Sequence, residues 1–264
     1  MMFHWVKDLY RLVIDRPLKP GSTLLGRYRI NEVLGMGSYG ITYAALDADS
    51  RKTVAVKQLR KTKSWTKSGQ QSFEREKEIL EQLNHPAIPS VYRSWQDECG
   101  RFIVMDYVSG QTFEDLIFQE GIRYSEMEAL EIFKEVLGIV SSMHEKGVIH
   151  RDLRIPNIIS AHGKLHIIDF GLACGLSGDD EHPQKRMKVN LMREVSVKSD
   201  FYALGHFLLF LLYSGYEPVT KKEKSWDEEL SLDPEVRSLI RRLLQIDESF
   251  KSAKEIMAVA QKLT

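Results

Sequence analysis

The hydrophobic pattern of this 264-residue chain changes period near Gly110, and that change restricts the folds open to it. Before it, β-branched and aromatic residues come in short runs, Tyr28 to Leu34, Ile41 to Leu46, Thr53 to Leu59 and Arg101 to Tyr107. Short runs of this composition between turn residues read as strands. One helical segment interrupts them, about Gln70 to Leu83, with Phe73, Ile79, Leu80 and Leu83 on its apolar face and Pro86 and Pro89 closing the region. After Gly110 the period is helical. Thr112 is a candidate N-cap, and Ser125-Glu126-Met127-Glu128 forms a capping box ahead of a long amphipathic helix to Lys146. Further helices are expected over Asp200 to Tyr213, Pro234 to Gln245 and Ser252 to Leu263, with a short strand pair, Val148-Ile149 and Lys164 to Ile168, between the first and the second of the four. Strands first and helices afterwards indicate an α+β chain, with the connection between its halves at Asp106 to Gly110.

The length suits one large domain or two small lobes with a sizeable core. Lys plus Arg and Asp plus Glu each number 37, and this neutrality argues against a dedicated nucleic-acid binder. The most apolar run, Phe201 to Tyr213, is too short to span a bilayer and contains His206, so a buried helix is expected. Cys99 and Cys174 are far apart and suggest neither a disulfide framework nor a zinc site, which points to a reducing, cytoplasmic setting. The first residues mix charge with apolar side chains and do not read as a signal peptide. Residues 1–16 read as an amphipathic helix, with Phe3, Val6, Tyr10 and Val13 at helical steps and Lys7, Arg11 and Arg16 beside them. That helix either packs on the protein itself or meets a partner or membrane surface. The oligomeric state is not legible.

The polar constellations lie where the strand and helix patterns leave loops. Gly35-Met36-Gly37-Ser38-Tyr39-Gly40 falls between two expected strands, and no helix follows it, which argues against a dinucleotide-binding turn. Lys57 lies in the strand Val54-Ala55-Val56-Lys57. Glu74, Glu76 and Glu78 lie on the helix that follows. His150-Arg151-Asp152-Leu153-Arg154-Ile155-Pro156-Asn157 supplies a carboxylate and then an amide, and Asp169-Phe170-Gly171 a second carboxylate.

In this order and spacing, from about Arg27 to Leu263, the chain resembles a protein kinase catalytic domain of the bacterial serine/threonine type. The resemblance implies a bilobal fold, with an antiparallel-sheet N-lobe at 27–107, a mostly helical C-lobe at 108–264, and residues 1–26 as an N-terminal extension. It implies ATP and Mg2+ as cofactors, with Gly35, Gly37 and Gly40 closing over the phosphates and Thr42 and Ala55 lining the adenine pocket. Lys57 would contact the α- and β-phosphates, with Glu76 as its partner since it best matches the family position and shares a face with Leu80. Met105 would stand behind the adenine, and Asp106 and Val108 would offer it backbone hydrogen bonds. Asp152 would take the acceptor hydroxyl's proton, and Asn157 and Asp169 would hold metal. Arg154 stands where the family commonly has lysine, keeping the charge but not the ammonium geometry.

The resemblance weakens after Gly171. The stretch before Asp200, KRMKVNLMREVSVKS, lacks the alanine-proline-glutamate motif, and the distance from Asp169 to Asp200 is short for the family. The arginine that this glutamate pairs with is also missing; the matching stretch, Asp247 to Ser252, holds Lys251. Losing both partners avoids a buried uncompensated charge. The polar stretch Glu217 to Leu230 suggests a reduced helix. Arg151 stands where the family often receives a phosphate on the activation segment, and Ser177, Ser196 and Ser199 are the candidate acceptors. The leading expectation is Mg-ATP-dependent phosphotransfer to serine or threonine hydroxyls of protein substrates. Alternatives are a kinase-fold enzyme with a small-molecule acceptor and a nucleotide-binding pseudokinase or scaffold.

Overall fold

The computed structural model describes residues 14–176, 191–218 and 224–263. The chain forms two compact units, Met1–Val108 and Ser109–Thr264.

The first unit runs β1 (Thr23–Leu24), β2 (Tyr28–Met36), β3 (Gly40–Asp47), β4 (Thr53–Leu59), α1 (Lys61–Ser64), α2 (Lys67–Leu83), β5 (Val91–Asp97) and β6 (Gly100–Asp106). The six strands form one sheet in the order β1-β2-β3-β4-β6-β5, every pair antiparallel. Alternate positions on β2, β3, β4 and β6 bury one apolar face, built on Tyr28, Ile30, Tyr43, Val56, Phe102 and Val104. Trp95 on edge strand β5 joins that face by stacking between Tyr28 and Phe102, at 5.8 and 4.8 Å between ring centroids. The Tyr43 hydroxyl is satisfied from two sides, accepting from Leu18 N at 3.1 Å and donating to Gln58 Oε1 at 2.8 Å.

Two features of this unit differ from the sequence expectation. Helix α2 begins at Lys67, before Gln70, because the Thr66 hydroxyl accepts from Gly69 N and caps the first turn. Strand β5 was not legible at all. Being an edge strand, it is exposed or half-buried along its length and carries no alternating apolar signal.

The second unit contains β7 (Gln111–Thr112), α3 (Phe113–Phe118), α4 (Glu126–Glu145), β8 (Val148–Ile149), β9 (Ile158–Ala161), β10 (Lys164–Ile167), β11 (Cys174–Gly175), α5 (Val197–Tyr213), α6 (Trp226–Glu229), α7 (Pro234–Leu243) and α8 (Ala253–Ala260). Capping boxes start α3 at Thr112 with Asp115, and α4 at Ser125 with Glu128. Helix α5 starts at Val197, a turn earlier than expected, because the Ser196 hydroxyl accepts from Lys198 N. This helix is apolar nearly all round and is buried among α4, α7 and β8. Gly205 permits the approach of α7, since a Cβ there would lie 3.0 Å from Leu243 Cβ.

The expected strand pair needs correcting. β8 pairs with β11, while β10 pairs with β9. The β9–β10 turn carries positive φ at His162 (52°) and Gly163 (75°), the backbone sign of a tight I′ hairpin. His162 gave no turn signal, so the hairpin was missed. Between Glu217 and Leu230 the described helix is α6 alone, four residues long.

Candidate active site

In the first unit, Lys57 is 6 % and Glu76 2 % exposed, and Lys57 Nζ meets Glu76 Oε1 at 2.5 Å. Helical periodicity selects Glu76 among the three neighbouring glutamates. It shares the buried face of α2 with Phe73, Ile79 and Leu80, whereas Glu74 pairs with Lys77 at the surface and Glu78 is exposed. A buried ammonium is tolerated only with a close carboxylate and further donors or acceptors, so the pair fixes the Lys57 head in one place.

The β2–β3 hairpin carries the glycines. Gly37 N donates to Gly40 O at 2.9 Å. A Cβ on Gly40 would lie 3.0 Å from Lys57 Cε and 3.1 Å from Gln58 O, tighter than ordinary contact, so glycine eases the loop's passage this close to the lysine stem. A Cβ on Gly35 would meet nothing within 4 Å, which leaves room beside the loop backbone. Thr42 pairs in register with Lys57, and Ala55 with Met105, both of the latter buried.

The Asp106 carboxylate accepts from Ser90 N and from the Tyr92 hydroxyl, and Asp106 N donates to Ser90 O at 3.0 Å. The hydrogen bond to Asp106 is the main reason the Tyr92 hydroxyl is pushed up to about 12. With its N–H engaged by Ser90, the backbone group Asp106 has left to offer a ligand is its carbonyl. Val108 is half-buried at the end of this unit.

In the second unit, β8 leads into the loop bearing Asp152, the 3-10 turn Ile155–Asn157 leads into β9, and Asp169 follows β10. The hairpin brings the two ends together, with Ile168 N donating to Asn157 O at 2.9 Å. The Asn157 amide nitrogen donates to Asp152 O at 2.9 Å and to Asp152 Oδ2 at 3.2 Å, which leaves the amide oxygen as the side-chain atom that could accept a cation. That oxygen and the Asp169 carboxylate are hard donors suited to a divalent ion that completes its shell with phosphate oxygens and water. Among the described residues there is no group of three or more His, Cys, Asp or Glu able to hold a metal unaided.

Arg154 forks onto Asp152, Nε at 3.0 Å from Oδ1 and Nη2 at 3.1 Å from Oδ2. The guanidinium end of this pair is 55 % exposed, so releasing it costs little.

The loop's shape depends on a residue that sequence reading used only to place a helix. Asp200 is fully buried on α5 and accepts from His150 N at 2.9 Å, from Arg151 N at 2.8 Å and pairs with His144 Nε2 at 2.9 Å. Arg151 (φ 64°) and Asp169 (φ 61°) both occupy the left-handed region, unfavourable for residues with a Cβ. Two directed bonds from one buried carboxylate hold the first of these turns in place. A lone acid in an otherwise apolar helix was the available signal.

His150 is fully buried, and desolvation is the first cause pushing its imidazole below its ordinary value, against the opposing charges of Asp200, Asp152 and Asp169. Its Nδ1 accepts from Asp152 N at 3.3 Å and its Nε2 donates to Ile168 O at 3.3 Å, the pattern of a neutral ring. A folded-state value below the unfolded one means stability that is present above about pH 6.5 and declines as pH falls toward the folded value. Denaturant midpoints of the native protein are therefore expected to drop as pH falls below about 6.5, and those of His150→Gln to drop less. Equal slopes would show that His150 is not the group involved.

Arg151 is engaged with the segment that follows Gly171, Nε donating to Arg193 O at 3.0 Å and Nη1 to Cys174 Sγ at 3.5 Å. Among the candidate phosphate acceptors, Ser199 is fully buried and donates to Ser196 O at 2.7 Å, and Ser196 caps α5. Ser177 lies outside the described residues, as does the expected helix up to residue 13. Lys251 is exposed, and its backbone N–H bonds Glu255.

Comparison with known proteins gives the family. The protein kinase domain family matches residues 28–264, and the chain belongs to that family. It is 37 % identical over 253 residues to the "Probable serine/threonine-protein kinase YbdM" of Bacillus subtilis (strain 168), covering 95 % of this chain and 94 % of that protein. It is 32 % identical over 208 residues to the serine/threonine-protein kinase PrkC of the same organism, covering 75 % of this chain but 32 % of that larger protein. The crystal structure of the Mycobacterium tuberculosis PknI kinase domain superposes with a TM-score of 0.69 at 22 % identity, over 94 % of this chain and 100 % of that one, a likeness of fold.

Proposed function

We propose that this chain transfers the γ-phosphoryl group of ATP, with magnesium, to serine or threonine hydroxyls of protein substrates. The observation that carries this reading is the Asp152–Asn157 loop, in which a carboxylate and an amide are hydrogen-bonded to each other and tied through Ile168 to the segment that carries Asp169 just after β10. A scaffold would have no need of that arrangement.

Each residue's task follows from its chemistry. Lys57, held by Glu76, presents a fixed ammonium to phosphate oxygens. The Gly35–Gly40 backbone covers them, Thr42, Ala55 and Met105 enclose the base, and the Asp106 carbonyl and Val108 N–H orient it. Asn157 and Asp169 hold the divalent metal, which when bound offsets charge on the phosphoryl group. Asp152 orients the acceptor hydroxyl and takes its proton, once Arg154 has swung from the carboxylate toward the phosphate. Among the described residues no helix is long and apolar enough to cross a membrane, and neither cysteine is in a disulfide, which suits a reducing compartment.

The missing alanine-proline-glutamate motif favours a second reading, a small-molecule alcohol as acceptor. Incubation with γ-labelled Mg-ATP, general protein substrates and a panel of small alcohols separates the two. Label is expected on protein serine or threonine. Label in small molecules alone would defeat the protein-kinase reading.

A further inference from the structure

Asp15 stands outside every motif considered above, yet it is 2 % exposed. Three donors converge on its carboxylate: Arg60 Nε at 2.8 Å, Thr62 N at 2.9 Å and the Thr62 hydroxyl at 2.6 Å. Burial alone would raise its pKa, but the Thr62 hydrogen bonds and then Arg60 hold it below the ordinary carboxylate range, so it is ionised at neutral pH. The same guanidinium reaches the other way, and Arg60 Nη1 donates to Gly37 O at 3.1 Å.

Further ties run from this short segment to the same loop. Arg60 N donates to Tyr39 O at 2.9 Å, and Lys63 Nζ lies 4.7 Å from the Tyr39 ring centroid. The guanidinium is a rigid planar fork, so fixing one edge on a buried carboxylate aims the other edge at one place. Gly35, Gly37 and Gly40 have no side chains of their own with which to restrain the loop.

We propose that Asp15, acting through Arg60, is a positioning residue that sets the glycine loop for phosphate binding. This rests on the reading of Gly35–Gly40 as the phosphate-covering loop. A loop released from its anchor samples more conformations, and ordering it again costs part of the binding free energy. That cost falls on ligands with phosphates and spares a ligand that meets only the base pocket.

Titration calorimetry on the full chain with Mg-ATP and, separately, with adenosine tests this. For Asp15→Asn and for Arg60→Gln the Kd for Mg-ATP is expected to rise about fivefold or more, while that for adenosine stays within about twofold. Equal weakening for both ligands would show a merely structural role, and no weakening would show that the loop needs no anchor; either overturns the proposal. If Asp15→Asn does not fold, Arg60→Gln decides alone, since it leaves Asp15 both Thr62 donors. Lys57→Met is assayed for phosphotransfer in parallel. Loss of transfer there keeps the nucleotide-site assignment standing whatever the other variants show, and retained transfer removes that assignment and this inference with it.

Discussion

Asp152→Asn is expected to lower kcat for phosphotransfer by about 10²–10⁴-fold, the usual range for loss of a positioned general base, with the KM for Mg-ATP within about twofold of the native value. The amide keeps the size of the carboxylate, and the neighbouring Asn157 nitrogen can still donate to its oxygen at the position now occupied by Asp152 Oδ2. Both functions of the carboxylate go, however: it can no longer accept a proton from the hydroxyl, and it no longer offers Arg154 a charged fork. The native and variant proteins are compared with labelled ATP and a general protein substrate. An unchanged rate would show that Asp152 is not the base and would end this mechanism. A native protein that binds Mg-ATP and transfers nothing would instead restore the pseudokinase reading.

What the sequence shows of this site is the part made by short local spacing. Asp152, Asn157 and Asp169 are fixed by one loop and one hairpin, so their order in the chain is close to their order in space. Glu76 is singled out by its match to the family position and by a shared face with Leu80, and the helical repeat puts it on the buried face, apart from Glu74 and Glu78. The parts that were missed depend on distant contacts. Asp200 caps a loop some fifty positions earlier in the chain, and Asp15 reaches the segment after β4. Neither carboxylate is marked out by the periodicity of the segment it lies in, and an acid read alone is taken as solvated. The pairing of β8 with β11 was lost for the same reason, since two-residue strands carry no period and their partner is chosen by the fold around them. Strand β5 shows the opposite failure: it is regular in structure but exposed, and exposed strands carry little hydrophobic signal.

The buried ion pair on the first unit allows stability and catalysis to be separated. Glu76→Ala removes the carboxylate 2.5 Å from Lys57 Nζ and leaves the ammonium at a site that is 6 % exposed. Breaking one side of a buried pair costs about 3–5 kcal/mol, because the remaining charge has lost its best compensation and cannot reach water. Denaturant unfolding is expected to show this loss, and phosphotransfer is expected to fall with it. Replacing both partners by apolar residues of similar size, Lys57→Met with Glu76→Leu, removes the charges together. Such double replacements are often neutral or stabilising, so the double variant is expected to recover most of the stability lost in Glu76→Ala. It is expected to recover none of the activity, since no ammonium remains to meet the phosphates. If the two losses simply add, the pair is not coupled as its geometry implies. If activity returns with stability, Lys57 is a structural lysine, and the phosphates are held by the loop backbone and the metal residues alone.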